Sequence, residues 1–171
     1  MKKLNLFAVV FAVFIIFNSN KSFSQAWFPD PVKSPYLEAM AGTWVSDPYT
    51  FMGNTSTNVV TYNMILNGQF MEVKVIRSDE KGVTMYEGME ILRPGVDGSF
   101  SGSSFDVTGN SQVQTYSGSK DGSKVLFTGS SPVGTGTREI IIDGNTMTQN
   151  VTFTMGKDTP VQKITVVYKK K

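Results

Sequence analysis

Residues 37–44, LEAMAGTW, are the most informative stretch of this chain of 171 residues. Ser34-Pro35, just ahead of it, are the residue types that begin a helix, and Gly42 is the type that ends one. We therefore predict one or two helical turns over residues 36–41, followed by a first strand. Trp44 stands early in that strand, two residues after the glycine.

Turn signals recur at short, regular intervals after this point. The two clearest hairpin signals are Asn67-Gly68 and Asp143-Gly144. The segments between the turns are rich in Val, Ile, Thr, Phe and Tyr, which favour strands. The pattern predicts an all-β, antiparallel up-and-down arrangement of about 8–10 strands.

Alternation of apolar and polar residues gives each predicted strand one inward face. In residues 147–155 the odd positions are apolar except for Gln149, and the even positions are polar. No later helix is long enough to cover such a sheet, so the sheet must close on itself or fold into two layers. Closure also removes exposed edges, and we therefore expect a lipocalin-like barrel.

The predicted inward faces supply the candidate ligand-binding residues. They are Tyr62, Met64, Met71, Val73, Met85, Glu87, Met89, Arg138, Gln149 and Phe153.

The first 24 residues have the pattern of a cleavable signal peptide. Lys2 and Lys3 precede an apolar run, Leu4–Phe17, and the small residues of Ser22-Phe23-Ser24 follow, with cleavage expected after Ser24. A membrane anchor is the alternative, but the run is shorter than the roughly 20 residues that span a bilayer. The absence of Cys excludes lipid attachment to a processed N-terminal cysteine.

This interpretation divides the chain into a signal peptide (1–24), a lead-in with a short helix (25–41) and a barrel domain (42–171). We expect a secreted or periplasmic protein with no transmembrane segment after cleavage. Removing Lys2, Lys3 and Lys21 changes the formal charge from +2 to one unit negative. Such a balance does not predict nucleic acid as a partner.

The composition excludes several kinds of catalytic and metal site, because the chain has no His and no Cys. Ser-His-Asp and Cys-His arrangements are impossible, and zinc loses its usual ligands. We predict no cofactor, no metal site and no catalytic residue. Carboxylate and tyrosine chemistry is the remaining enzymatic option.

Glu87 and Arg138 are predicted to be charged residues on inward faces. They could orient a polar head group or act as an acid–base pair, or they could form a purely structural ion pair. The methionines have two interpretations as well, because flexible thioethers suit a cavity for varied apolar ligands but also fill irregular core space. Tyr62, Tyr86 and Tyr116 could contribute hydroxyl groups, or pack with the hydroxyl at the rim.

Five short stretches together resemble the calycin group, which comprises lipocalins, fatty-acid-binding proteins and nitrobindin-like barrels. The similarity is greatest to small exported bacterial lipocalin-like proteins of uncharacterised function. The stretches cover residues 37–44, 65–70, 86–88, 136–139 and 167–169.

The resemblance implies a structural signature of Gly42, Trp44 and a basic residue of the last strand that packs over the Trp ring. Lys169 is the position expected to approach Trp44. The chain departs from nitrobindin at the haem-ligating His, which is absent.

Three functions follow as hypotheses from these observations. We expect an exported barrel that binds a small hydrophobic or amphipathic molecule in its interior. The first alternative is a ligand-free structural or interaction module of the bacterial envelope. The second is an enzyme that relies on carboxylates and tyrosines.

Overall fold

The computed structural model describes residues 30–171 except 32, 52, 96–98, 110, 120, 132–133 and 155–159. The predicted signal peptide, residues 1–24, lies outside the described residues. The described residues from 33 onward belong to one compact unit, Val32–Lys171. In this unit the elements are α1 Pro35–Met40, β1 Gly42–Ser46, β2 Tyr49–Phe51, β3 Asn54–Ile65, β4 Phe70–Asp79, β5 Thr84–Pro94, β6 Ser99–Asp106, β7 Ser111–Gly118, β8 Lys124–Ser131, β9 Gly134–Asp143, β10 Thr146–Thr154 and β11 Gln162–Lys170.

The strands form a closed antiparallel barrel in which, from β2 to β11, neighbours along the chain are neighbours in the sheet. Strand β1 closes the ring because it pairs with β11 on one side and with β3 on the other. The short strand β2 pairs with β3 beyond the end of β1, so ten strands make up the ring in the described part of the chain. The prediction of an all-β, up-and-down barrel is confirmed.

The hairpin turns follow from local backbone chemistry. Ile65 pairs with Phe70, so β3 and β4 are joined by a four-residue loop in which Leu66, Asn67 and Gly68 have positive φ. At the second signal, Asp143 pairs with Thr146, so Gly144 and its neighbour form a two-residue loop. Both predicted hairpins are confirmed.

Helix α1 closes one end of the barrel, which we call the closed end. Pro35 occupies the first helical turn, and the Ser34 side chain makes no capping hydrogen bond. The Tyr36 ring stacks on Phe100, with 4.9 Å between centroids. Gly118 makes this possible, because a Cβ there would collide with the Tyr36 ring. The predicted short helix is confirmed.

The main hydrophobic core fills the closed half of the barrel. Trp44 is completely buried, and its indole Nε1 donates a hydrogen bond of 2.7 Å to the carbonyl oxygen of Met40. Met71, Val73 and Met147 are completely buried in the same cluster. These inward positions agree with the alternation in β4 and β10.

The cation over the Trp44 ring comes from Lys170, not from the expected Lys169. Trp44 lies directly opposite Lys170 in the β1–β11 register, and Lys170 Nζ lies 5.1 Å from a Trp44 ring centroid. Lys169 is one residue out of phase, so its side chain points outward and donates a hydrogen bond to Thr146. The Lys169 prediction is wrong, because a one-residue shift reverses the face of a strand.

The inward face predicted for β5 is also wrong. Met85, Glu87 and Met89 are exposed, while Glu90 and Leu92, which have the other parity, are buried. The more apolar set of this strand faces outward. Glu90 can be buried because Tyr116 and Arg138, on other strands, form hydrogen bonds with its carboxylate. The sequence of β5 alone does not show these partners.

Among the described residues, no helix is long and apolar enough to cross a membrane.

Candidate functional site

A cavity of about 440 Å³ occupies the half of the barrel away from α1, which we call the open half. Its lining reaches the ends of strands β8, β9 and β10 that lie opposite the closed end. The described lining residues are Asn58, Val60, Val75, Tyr86, Glu90, Phe127, Gly129, Gly134, Thr135, Gly136, Thr137, Arg138, Gln149, Val151, Phe153, Thr154 and Tyr168.

Two glycines on adjacent strands line this cavity. Gly129 of β8 lies directly opposite Gly136 of β9, and both line the cavity. Gly129 shares its face with the buried Val125, and Gly136 shares its face with the buried Ile140. A cross-strand pair that would otherwise project two side chains into the barrel therefore projects none.

A salt bridge between Glu90 and Arg138 forms the polar wall of the cavity. Arg138 Nη2 donates to both carboxylate oxygens of Glu90 at 3.0 Å. The side chains of Arg138 and Glu90 are only 16% and 10% exposed, so the pair is largely removed from water. Burial by itself lowers the pKa of Arg138, but Glu90, Tyr116 and Tyr62 together outweigh burial and raise that pKa above its usual value.

Two aromatic residues hold this salt bridge in place. The Tyr116 hydroxyl donates a hydrogen bond of 2.9 Å to Glu90 Oε2. The guanidinium carbon of Arg138 lies 4.7 Å from the centroid of the Phe127 ring. Burial, and then the nearby Glu90 charge, raise the pKa of Tyr116, so it remains a neutral donor.

Arg138 retains unused donors. All its hydrogen bonds to described residues leave from Nη2, and its buried Nε has no partner among those residues. The Nη1 group forms no hydrogen bond there either. A guanidinium has five N–H donors, so most of the donor capacity of this side chain is not used by the described part of the barrel.

Gln149 and Tyr62 form a second polar pair, next to the salt bridge. Gln149 Nε2 donates a hydrogen bond of 3.4 Å to the Tyr62 hydroxyl oxygen, and both side chains are buried. Burial raises the pKa of Tyr62, which keeps its hydroxyl protonated.

A third polar cluster joins β1, β2, β3 and β11. Asn58 Nδ2 donates to the Tyr168 hydroxyl at 2.9 Å, and its Oδ1 accepts from the Tyr49 hydroxyl at 2.9 Å. The backbone N–H of Asn58 donates to Ser46 Oγ at 2.7 Å. Burial raises the pKa of Tyr168 to about 12.

Aromatic rings and a second arginine lie near the open end. The Arg77 guanidinium carbon is 5.4 Å from the Tyr86 ring centroid and 5.8 Å from that of Phe51. Phe51 also contacts Phe153, with ring centroids 5.6 Å apart. Cation–π contacts of this kind hold a guanidinium in place without a carboxylate partner.

Four of the candidate residues meet in the open half. Arg138, Gln149 and Phe153 line the cavity, and Tyr62 contacts Gln149. Their inward positions agree with the alternation of β3, β9 and β10, and their role in ligand binding stays a prediction.

The other six candidates lie elsewhere. Met71 and Val73 are part of the closed-half core, Met64 is 41% exposed near the end of β3, and none of the described methionines lines the cavity. The remaining three, Met85, Glu87 and Met89, face outward on β5. The hypothesis that Glu87 pairs with Arg138 is therefore wrong, because the carboxylate that contacts Arg138 belongs to Glu90.

Glu90 is the principal site residue that the sequence pattern missed. It has the opposite parity to Glu87, on a strand where both faces contain apolar residues and a carboxylate. Gly88, two residues ahead, was an available signal. A Cβ there would lie 2.8 Å from the Tyr86 hydroxyl, so the glycine leaves space for that ring along the inner face.

Within the described part of the chain, no group of three or more acidic residues is arranged to hold a metal ion. No protein-family model matches the chain, and no curated protein matches it. A solved structure, the Rv2717c protein of M. tuberculosis, is similar in fold with a TM-score of 0.66. Its sequence identity is 15%, over 81% of this chain and 98% of that one. This likeness supports the barrel fold alone.

Proposed function

We propose that this protein binds a small amphipathic molecule in the open half of its barrel. The observation that carries the proposal is the cavity of about 440 Å³ with a buried, incompletely bonded Arg138 in its wall. Ligand cavities in proteins are typically about 300–1,000 Å³. A barrel whose only purpose was stability would gain by filling this space with side chains.

The lining suits a molecule with one polar and one apolar part. Val60, Val75 and Val151 supply an apolar surface, and Phe153 extends it towards the open end. The polar groups are the salt bridge of Arg138, the amide of Gln149, the Asn58–Tyr168 pair and the threonines nearer the open end. Polar groups at fixed positions beside an apolar surface orient a small molecule in its site.

The polar wall is organised before any ligand arrives. Glu90 and Tyr116 hold the Arg138 side chain from one side, and the Phe127 ring supports it from another. These residues lie on four different strands of a closed sheet. Binding would therefore cost little side-chain ordering at the polar end.

We also propose that the chain is a calycin-type protein and that it is exported. The resemblance around Gly42 and Trp44, together with a closed antiparallel barrel of ten strands, supports the first statement. The charge and hydropathy pattern of residues 1–24 supports the second. Mass determination of the N-terminus after expression in a bacterium tests export, with Gln25 as the expected first residue.

Native mass spectrometry of the purified protein tests ligand binding. We expect a stoichiometric small-molecule mass, either co-purified or acquired from added decanamide. Val151→Phe places a larger side chain in the cavity and should weaken retention of this mass. Val59→Phe makes the same change on the outer face, where Val59 is 37% exposed, and should not weaken it. Equal retention by the Val151→Phe and Val59→Phe variants, or no binding by any of the three proteins, would contradict the proposal.

An interaction module is the second candidate, and one observation favours it. Two exposed apolar pairs, together called the apolar strip, lie on the outside of the barrel, one on β3–β4 and one on β5–β6. Val59 pairs with Ile76 and Met89 pairs with Phe105 across neighbouring strands, and all four are exposed. Crosslinking in envelope fractions, with Met89→Lys as the control, would detect a partner that needs this strip.

A further inference from the structure

We propose that the ligand presents an uncharged hydrogen-bond acceptor, such as an amide or ester carbonyl, to Nη1 of Arg138, and that a carboxylate is rejected. This inference rests on the proposed function and narrows it to a chemical class. It follows from the charge balance inside the barrel and from the donors that remain free there.

The charge of Arg138 in the open half is already balanced, because Glu90 neutralises it in direct contact. Arg77 lies opposite Tyr86 on the inner face. The Asp106 carboxylate accepts hydrogen bonds from Thr108 in an exposed turn. Lys170 lies at the closed end over Trp44.

A charged head group would disturb this balance. A ligand carboxylate at Arg138 would lie beside the Glu90 carboxylate, which already takes both N–H···O contacts from Nη2. Two like charges in a site of low polarity repel strongly, and an ion loses its hydration on entry. A neutral carbonyl avoids both costs.

The free hydrogen-bonding groups also indicate an acceptor. The Tyr116 hydroxyl donates to Glu90, and Gln149 Nε2 donates to Tyr62. Nη1 of Arg138 makes no hydrogen bond to the described residues, and it belongs to a side chain that lines the cavity. A carbonyl oxygen that accepts from Nη1 would satisfy a donor that lies in a largely buried side chain.

Isothermal titration calorimetry with three ligands of the same chain length tests this inference at neutral pH. Decanamide and methyl decanoate are neutral acceptors, and decanoate is an anion. We expect both neutral ligands to bind at least about tenfold more tightly than decanoate, a difference of ~1.4 kcal/mol. Methyl decanoate can accept hydrogen bonds but cannot donate them. Its binding would therefore show that an acceptor on the ligand is sufficient.

Two glutamate variants on β5 identify the origin of the preference. Glu90→Gln keeps the shape of the side chain but leaves Arg138 without its counter-charge. The affinity for decanoate should therefore rise at least about tenfold relative to the affinity for decanamide. Glu87→Gln makes the same change on the exposed face of the same strand and should leave the ratio unchanged.

The outcomes separate this inference from the proposed function. Equal or tighter binding of decanoate by the unmodified protein would overturn the inference and leave ligand binding in place. Binding of none of the three ligands would overturn both. If Glu90→Gln does not fold, the comparison on the unmodified protein decides alone, because it requires no variant.

Discussion

Replacing Glu90 by Gln should destabilise the barrel far more than replacing Glu87, three residues earlier on the same strand. The Glu90 carboxylate lies 3.0 Å from Arg138 Nη2 and is only 10% exposed. In the Glu90→Gln variant the amide oxygen of the new side chain would still accept hydrogen bonds from Tyr116 and Arg138. The change therefore removes the negative charge while it preserves shape and most of the packing.

The magnitude follows from the burial of the pair. Removing one partner of a fully buried salt bridge costs ~3–5 kcal/mol, because it leaves an uncompensated charge. Arg138 is 16% exposed, so water retains some access and reduces the cost. We expect the free energy of unfolding to fall by about 2–3 kcal/mol.

Urea unfolding followed by tryptophan fluorescence measures this loss, because Trp44 is completely buried in the folded barrel. The double variant Glu90→Gln/Arg138→Met should recover part of the loss, since it removes both charges of the pair. The prediction fails if Glu90→Gln shifts the unfolding midpoint no more than Glu87→Gln does. That result would mean that water or other groups compensate the positive charge of Arg138 when Glu90 is replaced.

Three further predictions concern the closed end and Tyr168. Trp44→Phe should lower the free energy of unfolding by ~2 kcal/mol, measured by circular dichroism, because it removes the hydrogen bond to the Met40 carbonyl and leaves a cavity. Lys170→Met should cost ~0.5–1 kcal/mol through the lost contact with the Trp44 ring, whereas an unchanged melting temperature would argue against that contact. Lys169→Met is the matched control and should have no such effect. The pKa of Tyr168 is raised from 10.0 to about 12 in the folded state, so its contribution to stability is present below pH 10 and is lost between pH 10 and pH 12. Tyr168→Phe should therefore show a shallower loss of stability in alkali than the unmodified protein, and equal slopes would contradict this.

The alternation of residues predicted the architecture well and the site only in part. In β10 the odd positions are apolar and the even positions polar, so the inward face of Gln149 and Phe153 was correctly predicted. In β5 both faces contain apolar residues and a carboxylate. The local pattern therefore does not distinguish Glu87 from Glu90, and the more hydrophobic face of this strand is the outer one.

The error at Lys169 has a related cause. Lys169 and Lys170 have the same chemistry, and only the register of β11 against β1 determines which of them lies opposite Trp44. That register is determined when the barrel closes, through pairing between residues near the two ends of the domain. A resemblance based on short stretches does not resolve a shift of one residue.

Properties that depend on neighbouring residues and on composition follow from the amino-acid sequence alone. They include the helix before Gly42, the hairpin turns, the period-two strands and the absence of histidine and cysteine chemistry. Which side chains meet depends on strand pairing, because Glu90, Tyr116 and Arg138 come from strands far apart in the chain. Gly129 and Gly136 of the cavity lining likewise face each other only after β8 and β9 have paired. Alternation defines two faces of a strand, but the surrounding strands decide which face is buried.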